Sequence, residues 1–134
     1  MKLSRTAGYA VHVLVYLGAR KSGPLVTGAE AAKDLGIPEG FLLRIMVSLA
    51  RAKVLTSIKG PHGGYRLGRP AQEITLLDVI ESVEGPFRGE IGWSSGRLDK
   101  PLGAIMGSVA DQVRKQLSQV TIADLNKVGR RRSG

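Results

Sequence analysis

The sequence predicts a mainly α-helical fold with one small β-hairpin and a long helix near its C-terminus. Three observations carry that expectation. Apolar residues recur at helical spacing in segments punctuated by Gly, Pro and Ser/Thr caps. Residues 59 to 67, Lys-Gly-Pro-His-Gly-Gly-Tyr-Arg-Leu, form a glycine-rich turn between two short β-prone runs. Residues 101 to 119 carry one long amphipathic stripe.

The first element begins with Lys2 and Arg5 ahead of an apolar run from Ala7 to Ala19. Such a start resembles a secretory leader and is too short for a membrane span. His12 interrupts the run, no small-residue cleavage site follows, and more helical pattern comes next. The expectation is a buried helix from a Ser4 cap to about Arg20, stopped by Ser22-Gly23-Pro24, in a cytoplasmic protein that meets no membrane. Thr27 caps a second helix, with Glu30 completing a capping box, and Leu35-Gly36 ends it. Pro38 and Glu39 open a third helix, which carries Phe41, Leu42, Ile45, Met46 and Leu49 at helical spacing and ends near Lys53.

Val54 to Ile58 and Tyr65 to Leu67 then read as hairpin strands. Gly60, Gly63 and Gly64 tolerate positive φ, and Pro61 gives up a donor that a solvent-facing tip does not need. Lys59, Arg66 and Arg69 surround the loop with positive charge suited to a polyanion. Two helices joined by a short turn and followed by a basic hairpin make a winged helix-turn-helix, which places its second helix in the DNA major groove.

Beyond the wing, Thr75 caps a short helix through about Val83, with Asp78 at N3, and Gly85-Pro86 stops it. Residues 86 to 100 are rich in Gly, Ser and charge, with Trp93 as the one large apolar residue, and read as a loop. Pro101 is placed at N1 of the long helix. Its stripe of Leu102, Ile105, Met106, Val109, Val113 and Leu117 either packs on a second copy of the chain or covers its own domain; so late in the chain, dimer packing is expected. Thr121 caps a last helix from Ile122 to Val128. The expected organisation is a DNA-binding domain over 1–85, an effector or linker loop over 86–100, dimerisation and terminal helices over 101–128, and a basic tail over 129–134.

Composition narrows the function. The chain of 134 residues is 43% apolar, enough for one core, and has no cysteine. Disulfides, thiol catalysis and cysteine-ligated zinc or iron–sulfur clusters are therefore excluded. The net charge of +9 is concentrated in residues 1–70, with 11 Lys/Arg against 3 Asp/Glu; residues 71–134 hold 9 against 8. Two histidines in different elements, no nucleotide fingerprint and no acidic pair at catalytic spacing argue against an enzyme. A non-specific architectural nucleic-acid-binding protein is the alternative, although the chain lacks an aromatic stacking platform.

The wording of the segments resembles the Rrf2 family of winged-helix transcription regulators over nearly the whole chain. The likeness rests on Met1-Lys2-Leu3-Ser4, Gly8-Tyr9-Ala10-Val11, Ala29-Glu30-Ala31-Ala32, Gly36-Ile37-Pro38 and Phe41-Leu42. It continues through Leu49-Ala50-Arg51-Ala52, Gly60 to Leu67, Arg69-Pro70, Ile74-Thr75 and Val83-Glu84-Gly85-Pro86. The resemblance implies a homodimer that binds a roughly palindromic operator on double-stranded DNA, usually as a repressor. Positions 39 to 44 then face base edges, with Arg44 reading a base or gripping a phosphate. Lys2, Ser4, Arg5, Arg51, Lys53 and Lys59 are phosphate contacts, and Pro61 and His62 form the wing tip. Thr27, Pro38, Glu39, Gly40, Phe41, Gly60, Gly63, Gly64, Tyr65 and Arg66 complete the DNA-facing set. Leu43 stands where the family commonly has an acidic residue, which removes the basis for assuming the family's usual operator preference.

Many members hold an iron–sulfur cluster through three cysteines in the loop after Glu-Gly-Pro. That loop is here cysteine-free and short, so no cofactor or metal is expected, and the effector becomes a small molecule or a partner protein. Trp93 and His12 are the candidate pocket residues, each set against a packing role in the core.

Overall fold

The computed structural model describes residues 2–20, 25–92 and 96–133. The expected Ser22-Gly23-Pro24 turn and Trp93 lie outside them. Among the described residues the order is α1 (Arg5–Gly18), α2 (Gly28–Leu35), α3 (Glu39–Arg51), β1 (Leu55–Ile58), β2 (Gly64–Leu67), α4 (Leu76–Glu84), α5 (Asp99–Leu117) and α6 (Ile122–Ser133). A 3-10 turn at Ala71–Glu73 precedes α4.

Local chemistry sets most of these boundaries. Ser4 caps α1 by accepting from the Ala7 amide at 3.0 Å, and Thr27 caps α2 by accepting from the Glu30 amide at 3.1 Å. The Glu30 carboxylate meets the Thr27 hydroxyl at 3.4 Å, so the expected box does not close on the Thr27 backbone. Full boxes form instead at Thr75 with Asp78 and at Thr121 with Asp124, where each carboxylate accepts from the threonine amide. Removing such a cap costs about 1 kcal/mol. Gly36, at φ 67°, ends α2 in the left-handed region.

The end of α3 is a Schellman turn without glycine. Lys53 N–H reaches Ala50 O and Val54 N–H reaches Leu49 O, both at 3.0 Å, and Lys53 takes φ 62°. Burial of Val54 holds the turn closed. The next residues pair as an antiparallel hairpin in which Leu55 faces Leu67, Thr56 faces Arg66, Ser57 faces Tyr65 and Ile58 faces Gly64. Val26 adds a bridge to this hairpin: it donates to Tyr65 O at 3.0 Å and accepts from Tyr65 N–H at 2.7 Å.

The core lies where α1, α2, α3 and the hairpin converge. Leu14, Leu42, Met46, Leu49 and Leu55 are fully buried there, together with Val79 of α4 and Ile122 of α6. Each such side chain contributes about 1.5–3 kcal/mol of transfer free energy. α6 returns to this body. Ile122 N–H donates to Ile74 O at 2.9 Å, and Gly18 of α1 lies against Ile122 and Asn126.

Two helices differ from expectation. α5 begins at Asp99, so Pro101 occupies its third position; proline is tolerated there because first-turn amides have no intrahelical acceptor. α6 runs past Val128 to Ser133, carried through Gly129 because arginine, which follows three times, is a good helix former.

Candidate nucleic-acid interface

The interface is built outward from α3. Leu42, Ile45, Met46 and Leu49 are its buried residues, so at about 3.6 residues per turn the opposite side carries Gly40, Leu43, Arg44, Val47 and Arg51. All five are exposed. Glu39 sits in the first turn, after Pro38. Phe41 meets Tyr9 of α1 edge-on, with ring centroids 5.6 Å apart. Beside it a cavity of about 190 Å³ is lined by Thr6, Phe41, Arg44, Ile45, Ser48 and Val83. Arg44 therefore stands at the seam between α3, α1 and α4 with its side chain exposed.

Sequence reasoning placed Leu43 on this face within positions 39 to 44 and missed Val47; Leu42 of that stretch is instead fully buried, on the core side of the helix. The signal for Val47 was present, because positions 40, 43, 44, 47 and 51 are the complement of the buried periodicity.

The wing tip presents Lys59, Gly60, Pro61, His62 and Arg66, all exposed. Gly60 takes φ 118°, and its carbonyl accepts from Gly63 N–H at 2.9 Å. A Cβ on Gly63 would collide with the Ile58 carbonyl, and one on Gly64, at φ 152°, would fall 2.8 Å from the Val26 carbonyl. These glycines are thus required by the backbone's own packing as well as by any close approach to DNA. The Tyr65 backbone is engaged with Val26 on both sides, and its half-buried ring packs on the core.

Lys2, Arg5, Thr27, Arg51 and Lys53 are exposed around the same body. Ser4 differs, because its hydroxyl accepts from Ala7 and donates to the Glu84 carboxylate. A phosphate contact by its proton would require that second bond to open. Arg69, expected to add charge at the wing, instead pairs with Asp78 at 3.3 Å and ties the segment after the wing to α4.

Of the two candidate effector residues, Trp93 lies outside the described residues. His12 is exposed on α1, which corrects its expected place in the core. It falls off the buried stripe of Ala7, Ala10, Val13, Leu14 and Leu17. The loop after α4 does form a crevice of about 390 Å³ with α5, lined by Pro86 to Gly89 and by Gly107, Ala110, Asp111 and Arg114. His12 does not line it. Gly89 approaches the Met106 carbonyl too closely to carry a side chain. On the expected dimer stripe, Ile105 is 59% and Val109 48% exposed, and Met106 is exposed beside them. Leu102, Val113 and Leu117 are half-buried.

Comparison with known proteins agrees with this arrangement. The model of the Rrf2 family, described as iron-dependent transcriptional regulators, matches residues 3–127. A protein of Mycobacterium tuberculosis named as an HTH-type transcriptional regulator is 32% identical over 130 residues, covering 93% of this chain and 81% of its own. The IscR regulator of Cereibacter sphaeroides is 43% identical over 86 residues, covering 63% of this chain and 56% of its own. Among solved structures, the Bacillus subtilis global cysteine regulator CymR superposes with a TM-score of 0.77 at 23% identity, covering 96% of this chain and 98% of its own. IscR of T. potens superposes at 0.73 with 24% identity, covering 96% and 88%.

The iron in the family's description does not fit this chain. It has no cysteine thiolate to hold a cluster, and among the described residues no three His, Asp or Glu side chains gather as a metal site. The family and its structural neighbours are transcription regulators rather than enzymes, and among the described residues no helix is long and apolar enough to cross a membrane. With its winged helix-turn-helix body and near full-length match, the chain belongs to the Rrf2 family of DNA-binding transcriptional regulators.

Proposed function

We propose that this regulator is a homodimeric repressor of a palindromic operator, released from DNA by a signal other than an iron–sulfur cluster. The observation that carries the reading is the pairing of two exposed faces on one chain. The first is the outward side of α3 with its arginines, flanked by the wing cations. The second is the apolar Ile105, Met106 and Val109 stripe on α5. A lone chain leaves that stripe in water, whereas a two-fold dimer buries it against itself and presents two recognition helices to two half-sites. The same placement supports a DNA-binding role for residues 1–85 and a dimerising role for α5.

For the signal, the absence of thiolates directs attention to a small molecule or a partner protein. The crevice between residues 86–89 and α5 supports that reading, because it adjoins the helix that would set the distance between the two halves of the dimer.

A gel-shift assay with an operator from the protein's own upstream region and a scrambled duplex, at two salt concentrations, tests the proposal. Regulation predicts a specificity ratio of about 10³ or more. Equal binding to both duplexes with a steep salt slope would instead identify an architectural protein.

A further inference from the structure

We infer that Leu43 and Val47 read thymine, through its 5-methyl group, in the major groove. The inference rests on sequence-specific DNA binding as proposed above and names the chemistry of that recognition.

Five facts lead to it. The outward face of α3 is apolar at its centre, with Leu43 37% and Val47 43% exposed. Arg44 and Arg51 are both exposed along one side of that apolar pair, so charge and apolar surface stand side by side on the face. Neither Leu43 nor Val47 can donate or accept a hydrogen bond. The apolar group that a base pair offers in the major groove is the thymine methyl. Gly40, one turn earlier, has open space around it and lets the helix seat deeply.

Leu43 is also held in position. It lies across Gly28, the first residue of α2, where a Cβ would strike its Cδ2 and come within 3.9 Å of Met46 Sδ. The missing side chain at position 28 is therefore what lets Leu43 rest over the start of α2, so its methyls are already placed before DNA arrives. Burial of a methyl against a methyl favours thymine over a base lacking that group by a few-fold, in line with the transfer free energy of one carbon.

The test uses the full-length protein. Binding sites are selected from a random synthetic duplex pool, and each thymine of the enriched half-site is then replaced by deoxyuridine, which removes only the methyl. At one or two positions per half-site the wild-type protein should bind about three- to tenfold more weakly. Leu43→Ala or Val47→Ala should abolish the thymine-to-uridine difference at its own position and leave the ratio at the other position as in the wild type. Gly28→Ala is the second variant. It displaces only the flexible end of Leu43, and alanine is the better helix former, so thermal stability should hold while the thymine-to-uridine ratio at the Leu43 position falls. Equal binding of thymine and uridine duplexes by the wild type overturns the inference, as do identical ratios in all variants. A pool that enriches no sequence removes the sequence-specific reading itself, and this inference with it.

Discussion

Glu81 of α4 and Arg114 of α5 form an ion pair, and the same Glu81 oxygen accepts from the backbone amide of Phe87 at 2.6 Å. One carboxylate thus ties together the last helix before the loop, the start of the loop and the long helix after it. It is one polar joint between α5 and the body, another being the Leu76 amide bonded to the Val120 carbonyl just after α5. Glu81→Ala should lower unfolding free energy by about 1–2 kcal/mol, since it removes a charge-assisted bond and strips Phe87 of its acceptor. Glu81→Gln, which keeps an acceptor, should cost less. Urea denaturation at low and high salt checks both, with the difference between the variants shrinking as salt rises.

The α5 stripe yields a sharper outcome. Ile105→Glu combined with Val109→Glu should convert a dimer into a monomer in sedimentation equilibrium. Far-ultraviolet dichroism should stay unchanged, because both side chains are exposed in the single chain. A double variant that remains dimeric would place the contact between subunits elsewhere.

Arg44→Ala should lower specific DNA binding by about 1–3 kcal/mol and relax sequence choice at one base pair per half-site. Uniform weakening across all sequences would make Arg44 a phosphate anchor instead. Fluorescence anisotropy against single-base variants of the operator separates the two.

At the wing, Gly63→Ala places a Cβ against the Ile58 carbonyl. The backbone must shift, and the loss should be about 1–3 kcal/mol. Gly40→Ala, with nothing near it, is the matched control and should not destabilise. Thermal melts of the two variants give the comparison.

Alkaline pH probes the contact between α1 and α2. The Tyr16 hydroxyl donates to the Asp34 carboxylate at 2.5 Å and accepts from Arg20 at 3.2 Å. The Asp34 bond, and then burial, hold the phenol above its ordinary value near 10. The fold favours the protonated form, so the contribution of Tyr16 to stability is complete below its unfolded value. It is lost as pH rises through the higher folded value. Tyr16→Phe should remove that part of the alkaline decline, and tyrosinate absorbance of wild type minus variant should show the late titration directly.

Much of this architecture was legible in the sequence because its determinants are local. Thr75 with Asp78, Gly36 after Leu35, and the glycines around Pro61 act within a few residues of themselves, so pattern reading places them well. The hidden features depend on neighbours far along the chain. Lys53 takes a left-handed turn because Val54 is drawn into the core, and Gly68 then packs against the Lys53 carbonyl. The pairing of Glu81 with Arg114 spans the whole loop. His12 and Val47 are a different case: both stand off the buried stripe of their own helix, and the periodicity already contained that answer.

The pair of amide bonds between Val26 and Tyr65 has a mechanical meaning. It braces the hairpin against the segment that leads into α2, so the wing, α2 and α3 stand like three legs of one tripod. Lifting the wing alone would shear both bonds at once and disturb the footing of the other two legs. Swinging a whole tripod about the Glu81 joint breaks none of these braces. In the proposed dimer, a release mechanism that alters the stance between tripods leaves both Val26–Tyr65 bonds intact, whereas one that bends the wing must break them.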